Sequence, residues 1–141
     1  MLTPEQQRKA LAVARAVAEF SVCRRLRVGA VLLDSEREGI ATGYNICAGG
    51  CGPDKPCGPR SFHAENQAAR KVYASNVAYG RDLCLVCTHS PCERCLRQMA
   101  DHKVTHIYYG EEYRIAPNLE LAAQLKIALV QIRGLYRVGP I

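Results

Sequence analysis

A three-layer α/β/α architecture around a mixed five-stranded sheet is expected of this chain, on three observations. Its 141 residues are 48% hydrophobic and 23% charged, enough for one packed core and unlike a disordered or fibrous composition. Two short β-rich runs on either side of a polar connection, within residues 28–45, have the pattern of a hairpin. After residue 62, strand patterns alternate with helical ones, and parallel neighbours need such helical crossovers. The third, fourth and fifth strands should therefore run parallel, with helices on both faces.

The elements follow in order. Thr3, Pro4 and Gln6 make a helix-start signal: a capping threonine, a proline in the first helical position and an amide three residues after the cap. Val13, Val17 and Phe20 recur at helical spacing beside Ala10 and Ala14, predicting an amphipathic helix to about residue 20 that turns this face to the core. Residues 28–33 and 40–45 are the hairpin strands. Residues 46–61 hold four Gly, three Pro and three Cys, the composition of an irregular loop that is functional or stapled by a metal. The pattern then predicts a helix over 63–74, a strand over 83–88, a helix over 92–100 and a strand over 104–109. Pro117 opens a helical run over 119–128, and 129–132 forms the last strand. Internal repeats and low-complexity tracts are absent from the sequence.

Several function classes are excluded at this level. No apolar run approaches the roughly 20 residues that cross a bilayer. Charged residues interrupt positions 1–20, so a secretory leader is not expected there, and the protein is read as soluble and cytoplasmic. In a reducing compartment eight cysteines are better read as metal ligands, reactive thiols or small buried hydrophobes than as disulfides. The net charge of +6 favours an anionic partner, although Lys and Arg are spread along the chain as on any basic surface.

Two segments carry the chemistry: His63-Ala64-Glu65 and Pro91-Cys92-Glu93-Arg94-Cys95, each at a predicted helix start. Cys92 and Cys95 at a helix N-terminus can face one ion, and the helix dipole favours their thiolates. One imidazole and two thiolates suit zinc and leave a fourth position for water, the arrangement of catalytic rather than structural zinc. Zinc brings the pKa of bound water down towards about 7. Glu65 lies close enough to accept the water proton and pass it to a ring nitrogen and a leaving amine. His-x-Glu followed by Pro-Cys-x-x-Cys is the signature of hydrolytic nucleobase deamination.

On these residues the chain resembles the cytidine deaminase superfamily, and within it the deoxycytidylate (dCMP) deaminases. The narrower likeness rests on 23–31, on Thr42-Gly43-Tyr44-Asn45 and on 107–113. The resemblance implies the cytidine deaminase-like sheet with strands four and five parallel, in a single zinc-dependent deaminase domain over 1–141. It implies that His63, Cys92 and Cys95 hold zinc, that Glu65 moves protons, and that the Ala64 amide faces the pyrimidine carbonyl. Asn45 would contact the sugar or ring, and Tyr113 would pack near the base or sugar. Arg24, Arg25 and Arg27 form the best-placed cluster for a 5′-phosphate, with Arg60 and Arg114 as further candidates; the planar arginine fork suits phosphate oxygens. The sequence departs from the family at Ile46 after Asn45, in the cysteine-rich loop that follows, and at Gln67 where Asn is usual. Control by dCTP and dTTP is associated with that loop region in the family.

Cys47, Cys51 and Cys57 share the loop, and Cys23 precedes the strand beside it. These four residues are candidates for a second, structural zinc, against the alternative of free loop thiols. Cys84 and Cys87 lie in an apolar strand, where a spacing of three means opposite faces, and are expected to be buried hydrophobes. His89 is expected to line the pocket or to be a hydrogen-bonded strand-end residue; His102 and His106 are read as structural.

The expected function is conversion of dCMP to dUMP and ammonia by a homo-oligomer acting on a small nucleotide. The alternatives are deamination of dCTP, cytidine, guanine or a tRNA adenosine, or a non-catalytic zinc-stabilised binding module. A nucleic-acid partner is not expected from a chain with no Trp and two Phe, because strand binding uses aromatic platforms.

Overall fold

A computed structural model of the chain describes residues 2–34, 39–47, 51–52, 61–74, 82–112 and 117–133. Helix α1 (Pro4–Ala18) begins with the anticipated capping box: the Gln6 amide donates to Thr3 Oγ1 (3.1 Å) and the Thr3 amide to Gln6 Oε1 (2.8 Å). Its buried face differs from the expected one. Ala10, Leu11, Ala14 and Ala18 face the sheet, whereas Val13 is 47% and Phe20 71% exposed. The cause lies in strand β1 (Gly29–Leu33), where a Cβ on Gly29 would come within 1.9 Å of the Ala14 carbonyl oxygen. Helix and strand meet backbone to backbone, and only small residues fit that seam. The start of the helix is also tied across the fold, the Leu2 amide donating to the Tyr108 hydroxyl at 2.9 Å, 106 positions away.

The sheet has the order β2-β1-β5-β6-β7. Strand β2 (Gly39–Tyr44) and β5 (Leu83–His89) flank β1 antiparallel to it, and β6 (Val104–Glu111) and β7 (Ala128–Gln131) continue parallel to β5. Strand β3 (Ile46–Cys47) and β4 (Ser61–Phe62) form a separate antiparallel ribbon inside the stretch expected to be wholly irregular. It ties the two ends of the cysteine-rich loop together.

Helices α2 (Ala64–Ala74), α3 (Glu93–Asp101) and α4 (Leu119–Gln124) complete the order. Helix α4 is shorter than the sequence pattern suggests. Lys126 takes a positive φ of 60° and the Ile127 amide returns to the Ala122 carbonyl, which breaks the helix and buries Ile127. Ala128 is thereby released to pair with His106 as the start of β7. Two buried clusters fill the sides of the sheet. Val31, Leu33, Cys84, Val86 and Tyr108 pack with Leu11 and Ala14 of α1, and Leu32, Leu85, Cys87 and Ile107 pack with Ala64, Ala68, Leu96 and Met99. Cys84 and Cys87 thus lie on opposite faces and are buried, as expected.

The geometry gathers one end of the molecule. Because β1 is antiparallel to β5, the entry to β1, the exit from β2 and the exits from β5 and β6 all lie at the same edge. Helix α2 is set there by a second backbone approach: a Cβ on Gly43 would lie 2.4 Å from the Ala64 carbonyl oxygen and 2.5 Å from the Ala68 nitrogen.

Candidate active site

His63 immediately precedes α2, and its carbonyl accepts the Gln67 amide at 3.1 Å, so the first helical turn fixes its backbone. Cys92 is the N-cap of α3, in an extended conformation and with no side-chain capping bond, which leaves its sulfur available. Cys95 is one turn further on and fully buried. His63 Nδ1 lies 3.1 Å from Cys95 Sγ and 3.6 Å from Cys92 Sγ, and the three ligand atoms all lie within 4.8 Å of one another. Among the described residues no fourth His, Cys, Asp or Glu joins this group. One borderline nitrogen and two soft sulfurs at this spacing fit zinc with an open coordination position.

The electrostatics favour one thiolate in this metal-free group, on Cys92. A hydrogen bond from the Cys95 thiol brings the Cys92 pKa down to about 3, with His63 assisting and burial opposing. Donating that bond, together with burial, pushes the Cys95 thiol up. His63 is raised by its hydrogen bond to Cys92. Glu65, 4% exposed, has its carboxyl pushed up by burial, while hydrogen bonding and His63 pull the other way. Cys87 beneath the site is pushed far up by burial and by Glu65, which makes it an inert packing residue.

A second group converges where β1 is entered. Cys23, Cys47 and Cys51 bring their sulfurs within 4.8 Å of one another, and Cys23 Sγ and Cys51 Sγ are 3.4 Å apart. Burial alone would raise the Cys23 pKa, but amides of Leu26 and Arg25 and the neighbouring thiols lower it to about 6. Cys57, expected to belong here, lies outside the described residues, as do Tyr113, Arg60 and Arg114.

The remaining expected residues are placed as follows. Ala64 is the first residue of α2 and fully buried, with its amide in the turn that lacks intrahelical acceptors. Both polar atoms of the Asn45 side chain hold main chain: Oδ1 accepts the Val28 amide (2.8 Å) and Nδ2 donates to the Leu26 carbonyl (2.7 Å). Arg25 Nη1 donates to the Gly52 carbonyl at 3.3 Å, Arg27 pairs with Glu19 at 3.4 Å on the surface, and Arg24 is exposed.

Sequence reasoning missed two contributors. Ser21 is buried, donates to the Asn45 carbonyl and accepts the Cys23 amide. Thr88 Oγ1 accepts the Gly29 amide (3.2 Å) and contacts His89 Nδ1 (2.8 Å). The hydroxyl proton is then free to go to Nδ1, which leaves the neutral ring's proton on Nε2, 3.8 Å from Glu111. Neither contribution has a local pattern; both come from contacts across the fold.

Residues 4–111 match the family model described as the cytidine and deoxycytidylate deaminase zinc-binding region. The chain is 30% identical over 132 residues to ComE operon protein 2 of Bacillus subtilis (strain 168), covering 86% of this chain and 68% of that protein. Among solved structures, the dCMP deaminase of cyanophage S-TIM5 in complex with dCMP and dUMP superposes with a TM-score of 0.80 at 28% identity, over 93% of this chain and 99% of the other. A diaminohydroxyphosphoribosylaminopyrimidine deaminase/reductase from Thermotoga maritima shares the fold, with a TM-score of 0.73 at 19% identity, over 96% of this chain and 38% of the other.

Proposed function

The chain belongs to the cytidine and deoxycytidylate deaminase family, and from that premise we propose that it hydrolyses dCMP to dUMP and ammonia. One observation carries the reading: Glu65, a buried carboxyl that interacts with His63 and Cys95, accompanies three converging ligands that no fourth described residue joins. A merely structural zinc site has no use for such an acid. When bound, zinc supplies the Lewis acidity that makes water nucleophilic near neutral pH.

The chain's own groups account for the proton movements. Glu65 takes a proton from the attacking water and delivers it to the ring nitrogen beside the amine-bearing carbon. It then carries the hydroxyl proton of the adduct to the exocyclic nitrogen, the carbon–nitrogen bond breaks, ammonia leaves and the carbonyl forms. A carboxyl pushed up by burial suits this alternation, because an acid–base group works best with its pKa near the operating pH. The Ala64 amide is proposed to orient the pyrimidine carbonyl, with Asn45 and Tyr113 near sugar and base. Arg24, Arg25 and Arg27 are proposed to meet the phosphate. The cyanophage relative solved with dCMP and dUMP supports that substrate class.

Assays on dCMP, dCTP, deoxycytidine, cytidine, guanine and tRNA test the substrate. Glu65→Gln is expected to lose at least about 100-fold in kcat while retaining its active-site zinc. Equal activity in that variant would overturn the mechanism.

A second metal is part of the proposal, supported by the convergence of Cys23, Cys47 and Cys51, with Cys57 as a further ligand. Elemental analysis should give two zinc ions per chain, one of them lost in Cys51→Ser; a single ion in the wild type would reject it. The proposal further takes 1–141 to be one deaminase domain of a cytoplasmic homo-oligomer, without membrane or nucleic-acid partners. Among the described residues no helix is long and apolar enough to cross a membrane.

A further inference from the structure

Residues 24–27 place three arginines in four positions, and the structure fixes that arch from several sides. At its start the Arg24 amide donates to Cys51 Sγ (3.4 Å), and Cys51 Sγ touches Cys23 Sγ (3.4 Å). The Cys23 amide donates to Ser21 Oγ (3.2 Å), whose hydroxyl reaches the Asn45 carbonyl (2.8 Å). In the middle, Arg25 Nη1 grips the Gly52 carbonyl, one residue past Cys51. At its end, Asn45 holds the Leu26 carbonyl and the Val28 amide with its side chain, and its own amide donates to the Val28 carbonyl (3.2 Å).

Holding three like charges together costs repulsion and chain entropy, which an exposed loop would relieve by spreading out. Arg27 has Glu19 as a surface partner, whereas Arg24 is exposed and forms no ion pair with the described residues. An anion would offset the cost. The arch also leads into β1 at the end of the sheet where β5 runs out towards Cys92. The next residue beyond it but one, Gly29, donates its amide to Thr88, and Thr88 lies four positions before the ligand Cys92.

We propose that the Cys23, Cys47 and Cys51 cluster, linked through Ser21 to Asn45, is a positioning device that holds the Arg24–Arg27 arch as the reader of the substrate's phosphate. The proposal rests on the reading of the substrate as a 5′-phosphorylated nucleotide. It separates two tasks at one end of the sheet: His63, Cys92, Cys95 and Glu65 act on the base, and the thiol cluster sets how strongly the phosphate is recognised. The thiols touch neither the reacting atoms nor the phosphate.

The test is discrimination between nucleotide and nucleoside. Steady-state kinetics on dCMP and deoxycytidine, with calorimetric binding of dUMP and deoxyuridine, are measured for the wild type, Arg24→Gln, Cys51→Ser and Ser21→Ala. Losing one charge-assisted contact to phosphate corresponds to about a tenfold change. In Arg24→Gln and Cys51→Ser, kcat/KM for dCMP relative to deoxycytidine is expected to fall about tenfold, carried by KM. The preference for dUMP over deoxyuridine should fall in parallel. Ser21→Ala, a smaller change that keeps the clamp open to test should Cys51→Ser not fold, removes the bonds to Asn45 and Cys23 and is expected to lower the same ratio about threefold. Folded Cys51→Ser and Ser21→Ala proteins with an undiminished ratio, or with both substrates weakened equally, would overturn the positioning role. Wild-type turnover of dCMP without preference over deoxycytidine would overturn the phosphate reader while leaving the deaminase reading intact. Deamination of neither substrate would sink the dCMP reading, and the dUMP against deoxyuridine binding comparison would still decide the clamp.

Discussion

At Glu65 burial pushes the carboxyl up, so the folded state disfavours its charged form and the fold pays for ionising it. A folded pKa above the unfolded one gives stability present at low pH and lost as pH rises through the folded value. Zinc-free Glu65→Gln is therefore expected to melt above the zinc-free wild type at pH 7, with the gain shrinking as pH approaches 4; calorimetry checks this. His89 runs the other way. Burial holds it below the usual histidine range, with Glu111 partly offsetting. Its contribution is complete above pH of about 6.5 and is lost below that as the ring protonates. The urea midpoint should drop between pH 7.5 and pH 5, and His89→Gln should flatten the drop. His63, Glu65, Cys92 and Cys95 were legible because metal and proton chemistry restricts residue type at short spacing. Ser21 and Thr88 were not, because serine and threonine serve so many purposes that only their neighbours give them meaning.

Element positions were legible where the apolar pattern is strong, as in the continuous runs of β5 and β6 and the buried face of α3. The orientation of α1 was not. Counting hydrophobicity favours Val13, Val17 and Phe20, yet the glycine at 29 selects the alanine face by admitting the helix backbone itself. The same contact at Gly43 predicts that Gly43→Ala, which drives a Cβ into the Ala64 carbonyl, destabilises the fold by about 1–3 kcal/mol. It should also reduce zinc occupancy, since His63 immediately precedes α2 and its carbonyl is held by the first turn; denaturant titration and metal analysis measure both. The end of α4 escaped the pattern because 119–128 is uniformly compatible with helix, and the demand to bury Ile127 and pair Ala128 is tertiary.

For the molecule as a whole, the parallel half of the sheet followed from the helical crossovers between its strands, as chain topology leaves few alternatives, whereas the order β2-β1-β5-β6-β7 is set by tertiary pairing. The β3–β4 ribbon was not legible either, since pairs two residues long carry no period. Val13, Phe20 and Val22 remain exposed on α1 and its exit, a larger apolar display than a lone subunit needs. The proposed homo-oligomer should bury them: light scattering should give a multiple of the 15.5 kDa chain mass, and Phe20→Ser should shift it toward one chain without changing the fold.

The bond from Leu2 to Tyr108 has a bearing on biosynthesis. Helix α1 can form early, but the hydroxyl that secures its leading end lies 106 positions further along and leaves the ribosome much later. Until then its alanine-lined side has no permanent seat, so native structure should arise late and all at once rather than in instalments. Protease resistance should be absent from nascent chains halted with residue 109 still inside the ribosome and present in those halted with it outside.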